Sequence, residues 1–151
     1  MIYRLLVIDD KQDLVQGIID ENFDTEVFAV EKVFVQDFNE GIQRLKKERF
    51  DILILDLKKD PGEEYPGNSI YEDIWEGSNP FLPVIIFSSY PDNLEIASHK
   101  LLIKFDKAQE GELINYLKEE MLPRLPFINS LKKCMNMLER EGLRIVNFSE
   151  D

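Results

Sequence analysis

The run Phe50-Asp51-Ile52-Leu53-Ile54-Leu55-Asp56-Leu57 decides the fold. Its four consecutive aliphatics, rich in Ile and Leu, read as a strand buried on both faces, the kind that fills the middle of a parallel sheet. Asp56 follows at once, where such a strand would emerge at its carboxyl end. In open α/β sheets, ligands sit in the crevice outside those ends. Packing explains a carboxylate there poorly, so Asp56 is the first candidate for chemistry. An ordinary strand-end acid is the bland alternative.

Strand and helix patterns alternate on both sides of this run. Residues 2–8 read as a strand ending in Asp9 and Asp10. Lys11 to Phe23 then carries Leu14, Val15, Ile18 and Ile19 as the stripe of an amphipathic helix, with Asp13 at its start. Val27–Val30 and Val33–Val35 are β-prone, and one or both form the second strand. Phe38–Arg49 is helical, with Ile42 and Leu45 inward. After Asp56, the polar run 58–68 contains two Pro-Gly pairs and reads as a long loop. A short helix over Ser69–Glu76 precedes the strand Pro83–Phe87, which ends in Ser88 and Ser89. Pro91–His99 has room for one short helix, Lys100–Asp106 is the fifth strand, and Lys107 stands just past it. Glu112–Met121 is the last helix of the alternation. Five such repeats predict one doubly wound, five-stranded parallel sheet with right-handed crossovers.

The prolines in Leu122–Pro126 should break that last helix. Beyond them Phe127, Ile128, Leu131, Cys134, Met135 and Leu138 recur at helical spacing, Gly142 is a natural stop, and Leu143–Phe148 is a short strand or surface segment. The chain divides into a domain over 1–121 and a helical extension over 122–151. The extension's stripe is either a lid on its own domain, with Cys134 as a small core hydrophobe, or a homodimer contact.

Bulk properties narrow the functional classes. A chain of 151 residues suits one domain that folds without staples. The formal net charge of −12 argues against nucleic acid or an anionic membrane as partner. The acidity is concentrated in residues 1–120, with 13 Lys and Arg against 26 Asp and Glu; the remainder is nearly neutral. One cysteine suits a reducing compartment, and no apolar run approaches a membrane span or a signal peptide core. A cytoplasmic location is the simplest expectation.

The strand ends deliver a defined set of groups: Asp9 and Asp10, Asp56, Ser88 and Lys107. Converging on one crevice, three carboxylates repel one another and are tolerable chiefly around a divalent cation. An all-oxygen set suits Mg2+ or Mn2+ rather than zinc. A hydroxyl and an ammonium at the same rim would bind an anion's oxygens. These parts fit phosphoryl transfer with a carboxylate nucleophile.

The constellation resembles the receiver domain of two-component response regulators. The matching pieces are Leu6–Lys11, Phe50–Leu57, Pro83–Ser89, Phe105-Asp106-Lys107 and Gly111-Glu112-Leu113, and they span about four-fifths of the chain. The resemblance implies a flavodoxin-like sheet of strand order 2-1-3-4-5 with an added C-terminal helix. It implies Asp56 as phosphoacceptor, and Asp10, Asp56 and the main-chain carbonyl of Lys58 as direct Mg2+ ligands, with Asp9 acting through water. It implies further that Ser88 and Lys107 contact phosphoryl oxygens. A histidine kinase or phosphotransfer protein would be the donor, and a downstream protein the target. Enzymatic activity would be limited to self-phosphorylation and slow hydrolysis of the product. The chain departs from the family pattern in its longer loop after Asp56, in Ala108 after the lysine, and in a truncated helix before the fifth strand. Lys104 stands where a switch aromatic is expected, and is a rival to Lys107 as the site lysine. Two other readings are an interaction module that is never phosphorylated and a small Mg2+ phosphohydrolase. The second is disfavoured because Lys58 and Lys59 stand where such enzymes need another acid.

Overall fold

A computed structural model describes residues 2–24, 28–57, 81–89 and 102–141. The expected loop 58–68, the helices over 69–76 and 91–99 and the segment 142–148 lie outside the described residues. So do Lys58, Trp75 and His99. The elements in chain order are β1 (Tyr3–Ile8), α1 (Gln12–Asn22), β2 (Val30–Val35), α2 (Phe38–Lys47), β3 (Ile52–Leu55), β4 (Val84–Ser88), β5 (Leu102–Asp106), α3 (Glu110–Tyr116), a π turn (Leu117–Met121) and α4 (Leu122–Arg140). The strands form one parallel sheet in the order β2-β1-β3-β4-β5.

Continuous apolar strands give this sheet two buried faces. On one face Leu5, Val7, Ile52, Ile54, Ile85 and Phe87 pack against α1, α3 and α4. On the other Leu6, Ile8, Leu53, Leu55, Val84 and Ile86 meet Phe38, Ile42 and Leu45 of α2. The alternation follows from the two-residue period of a strand. α2 begins where the Asp37 carboxylate accepts hydrogen bonds from the N–H groups of Asn39 (2.7 Å) and Glu40 (3.1 Å). Such a cap satisfies two of the donors that a helix start leaves without intrahelical partners. Gly41 lets α2 approach β1 closely, because a Cβ there would stand 2.5 Å from Cδ1 of Ile8.

Several expectations about the helices need correction. Leu14, expected on the inward stripe of α1, is 54% exposed, whereas the second strand, left open between two β-prone stretches, is the run Val30–Val35. The prolines do not end the helical path, which passes from α3 through the π turn into α4 with Pro126 inside it. The N–H of Leu122 reaches the carbonyl of Leu117, five residues back, and this wider turn carries the chain into Pro123, which has no N–H to place. Met121, Leu125 and Ile128 are buried against the core. At about 1.5–3 kcal/mol each, they outweigh the roughly 3 kcal/mol cost of a proline in a helix interior. Phe127, at 67% exposed, and Cys134 face solvent instead of lying on the stripe, so Cys134 is not a core residue. Ile128, Leu131, Met135 and Leu138 keep the inward side of the expected stripe.

Replacing Gly41 by Val should drive a branched side chain into Ile8, the residue before Asp9. The expected loss is about 1–3 kcal/mol of stability, read from the shift of a urea unfolding midpoint, with Gly41→Ala costing less.

Candidate functional site

The register of the sheet brings the candidate residues to one edge. Ile8 pairs with Leu55, Leu55 with Ile86, and Ser88 with Asp106. Asp9 and Asp56 therefore leave the sheet side by side, and both are held by continuations of the ladder. The N–H of Asp56 donates to the carbonyl of Ile8 (3.0 Å), and that of Asp9 to Val35 (3.1 Å). Asp9 is 2% exposed, Asp56 9%, and the adjoining Asp10 is half-buried. One oxygen from each of these three carboxylates lies within 4.8 Å of the others.

Lys107 is brought to the same place from the far side of the sheet. Its N–H donates to the carbonyl of Ser88 (3.2 Å), which extends the β4–β5 ladder by one bond. Its chain direction is set by the turn that follows. Asp106 accepts from the N–H of Ala108 on its carboxylate (2.9 Å), and the N–H of Asp106 donates to Oε1 of Gln109 (2.8 Å). The ammonium then passes 5.0 Å from the centroid of the Phe87 ring and forms an ion pair with Oδ2 of Asp9. Oδ1 of Asp9 accepts from the N–H of Lys11 at 2.8 Å, so both oxygens of this carboxylate are fixed.

Ser88 is fully buried at the end of β4, whereas Ser89 is exposed. Lys107 thus meets the acid group, while Lys104 is paired in register with Ile86 inside β5 and points to the other face of the sheet. The structure brings Asp9, Asp10, Asp56 and Lys107 together, with Ser88 on the adjoining strand. The supporting groups Lys11 (through its N–H), Asp106 and Gln109 went unread in the sequence. For Asp106 the signal was an Asp two residues before an N–H it can accept from, the usual form of an Asx turn.

Three carboxylates and one ammonium leave two formal negative charges that Lys107 does not offset. Oxygen donors at this spacing fit a small hard cation that retains several waters, some carboxylates bound directly and others through water. No soft donor takes part among the described residues, so the set does not suit zinc. Among the described residues no helix is long and apolar enough to cross a membrane.

No family model and no curated protein sequence matches the chain. Solved structures do. A response-regulator receiver domain protein from Clostridium thermocellum superposes with a TM-score of 0.61 at 23% identity, over 89% of this chain and 100% of its own. A two-component transcriptional regulator AraC from Clostridium phytofermentans gives 0.64 at 21%, over 85% and 98%. The response regulator TrrA from Thermotoga maritima, in complex with Mg2+ and BeF, gives 0.59 at 18%, over 78% and 98%. At these identities the likeness is one of architecture: the chain has the doubly wound, CheY-like fold of response-regulator receiver domains.

Proposed function

We propose that the chain is a signal-transduction receiver that takes a phosphoryl group on Asp56 in a Mg2+-dependent reaction. The observation that carries this reading is the convergence of Asp9, Asp10 and Asp56 on one edge, with an ammonium already seated against Asp9. Asp10 and Asp56 are the candidates for direct metal ligation, together with the Lys58 carbonyl, and Asp9 for ligation through water. Bound there, Mg2+ or Mn2+ would supply neutralisation of the charge that builds on the transferring oxygens.

The remaining steps belong to the chain's own residues. An Asp56 oxygen attacks phosphorus, and the bond from phosphorus to the donor breaks with its electron pair leaving on the donor. For a histidine kinase or a phosphotransfer protein, that donor atom is an imidazole nitrogen. The product is a mixed anhydride of carboxylate and phosphate. Lys107, held in position through the Ser88 carbonyl and the Phe87 ring, pairs with a phosphoryl oxygen, and the Ser88 hydroxyl donates to another. Positioning and charge do most of the work in such a transfer. The added charge of about −1.5 to −2 then biases contacts with a downstream protein.

Incubation with a small phosphoramidate and Mg2+ should add one phosphate to the intact protein, lost on chelation and absent in Asp56→Asn. A wild-type mass that never changes, with metal binding intact, favours an interaction module that works by docking alone. A second expectation concerns the ion pair. Lys107→Met orphans a buried carboxylate and should cost about 3 kcal/mol in urea unfolding, at the low end for a buried pair because the Lys107 side chain is 15% exposed. Mg2+ should return part of that loss, because removing the ammonium leaves a more negative seat for the cation. Equal losses with and without Mg2+ contradict the metal assignment.

A further inference from the structure

The amino edge of the sheet holds a second group of polar side chains, at the far end of β3 from Asp56. Asp51, 6% exposed, stands at the foot of that strand. Its Oδ2 accepts the N–H of Arg4 at 2.8 Å, whereas its buried Oδ1 has no hydrogen bond to a described residue. The guanidinium of the largely exposed Arg49 stops 3.7 Å from that oxygen, beyond hydrogen-bond reach.

α4 supplies the rest of the group. Leu125 and Ile128 lay this helix on the apolar cluster that also contains Ile52, the residue after Asp51. Asn129 follows Leu125 by four residues and precedes Lys132 by three, so all three share one side of α4. Asn129 is 7% exposed, and neither its Nδ2 nor its Oδ1 has a hydrogen bond to a described residue. Lys132 is half-buried. Burial lowers its pKa, Asp51 raises it and Arg49 lowers it, so these charges act on one another across the foot of β3.

Buried polar atoms in folded proteins are nearly always satisfied, by other protein groups or by ordered water. The chemistry of this set narrows the occupant. It holds an amide donor and two oxygen acceptors, so the occupant must both donate and accept. A cation would be repelled by Lys132 and Arg49, and an anion by Asp51, in a place where charge is poorly screened. Water has two donors, two acceptors and no net charge, and a buried water makes about three hydrogen bonds.

We propose that α4 and the foot of β3 enclose a buried hydration site, in which ordered water donates to Oδ1 of Asp51 and Oδ1 of Asn129 and accepts from Nδ2 of Asn129, beside the Lys132 ammonium. Leu125 and Ile128 give α4 an apolar hold that is not directional, and the bridging water fixes its rotation over the sheet's amino edge. The site lies at the opposite end of β3 from Asp56 and does not rest on the reading of that residue.

Side-chain amide NMR of the 15N-labelled protein, joined to urea unfolding, tests the site. The Asn129 amide protons should show magnetisation transfer from long-lived water, with resonances that do not move when Na+ is exchanged for K+ or chloride for sulfate. Asn129→Leu should raise the unfolding constant about ten-fold, because an apolar side chain evicts the water and strips Oδ1 of Asp51. In an Asp51→Asn background the same change should cost visibly less, since the two residues act through one solvent bridge. Absence of water transfer at Asn129 overturns the proposal. So does an Asn129→Leu variant more stable than wild type, the sign expected of a dry hole relieved of two buried polar atoms. Strict additivity of the two substitutions overturns the bridge, and an Asn129 resonance that follows the identity of the salt ion assigns the site to an ion instead of water.

Discussion

The ion pair between Lys107 and Asp9 is the interaction on which the site depends, because it joins the two halves of the sheet at their carboxyl edge. β1 and β5 are separated by β3 and β4, so this contact spans three strand intervals that the backbone ladder bridges only stepwise. It is possible because the strands finish level and because the Ser88 carbonyl and the Asp106 turn aim Lys107 inward. The pair also makes the acid cluster tolerable. Without the ammonium, three carboxylates with oxygens inside 4.8 Å repel one another in a place with little water to screen them. With it, one of the three carboxylates has an ammonium beside it, and the set still fits a small hard cation. One contact therefore serves folding and the proposed chemistry.

The sheet was legible in the sequence because its strands are continuous apolar runs. Ile52–Leu55 and Val84–Phe87 have no polar face, and only a strand covered on both sides can carry such a run. Asp9, Asp56 and Ser88 were legible for the complementary reason, as polar residues at the ends of runs with no packing reason to be polar. The choice between Lys107 and Lys104 was not settled by pattern alone. It turned on where β5 stops, and strand ends are the least certain feature of any sequence reading. The C-terminal helix shows a different limit. Its inward stripe was visible through Ile128, Leu131, Met135 and Leu138, but Phe127 and Cys134 at its margin turn outward. Leu125 was missed because the prolines were taken to end the helix, whereas the π turn at Leu117–Met121 leads on into α4. The Asp37 cap had a readable signal, an Asp three residues before Glu40 at the head of a helix.

Asp51 and Asp56 bracket the same four aliphatics of β3, and their contrast explains why one end of the sheet is structural and the other is a candidate site. Asp51, at the amino end, is as buried as the acids of the cluster, but it stands among basic groups and backbone donors. It accepts the N–H of Arg4 at 2.8 Å and lies 3.7 Å from the Arg49 guanidinium. Arg4 itself is spent on Glu31, Glu48, the carbonyl of Arg49 and the face of Phe50. The Lys132 ammonium of α4, pushed below its usual pKa by burial, is partly sustained by Asp51. Positive groups of the fold thus surround the Asp51 carboxylate, although its buried Oδ1 has no hydrogen bond to a described residue.

At the carboxyl end the balance runs the other way. Acids are gathered from two strands, and the Lys107 ammonium is seated against one of them, Asp9. Parallel topology makes this asymmetry natural: every strand ends on the same edge, and each contributes whatever residue follows its apolar run. A chain that needs a rigid base and a reactive edge can then separate them by the length of one strand. β3 does so with Asp51 below and Asp56 above, five positions apart on a strand buried along its whole length. Both acids are anchored to the same rigid segment, so under the proposed function a change of charge at the Asp56 edge would leave the Asp51 end of the strand in place.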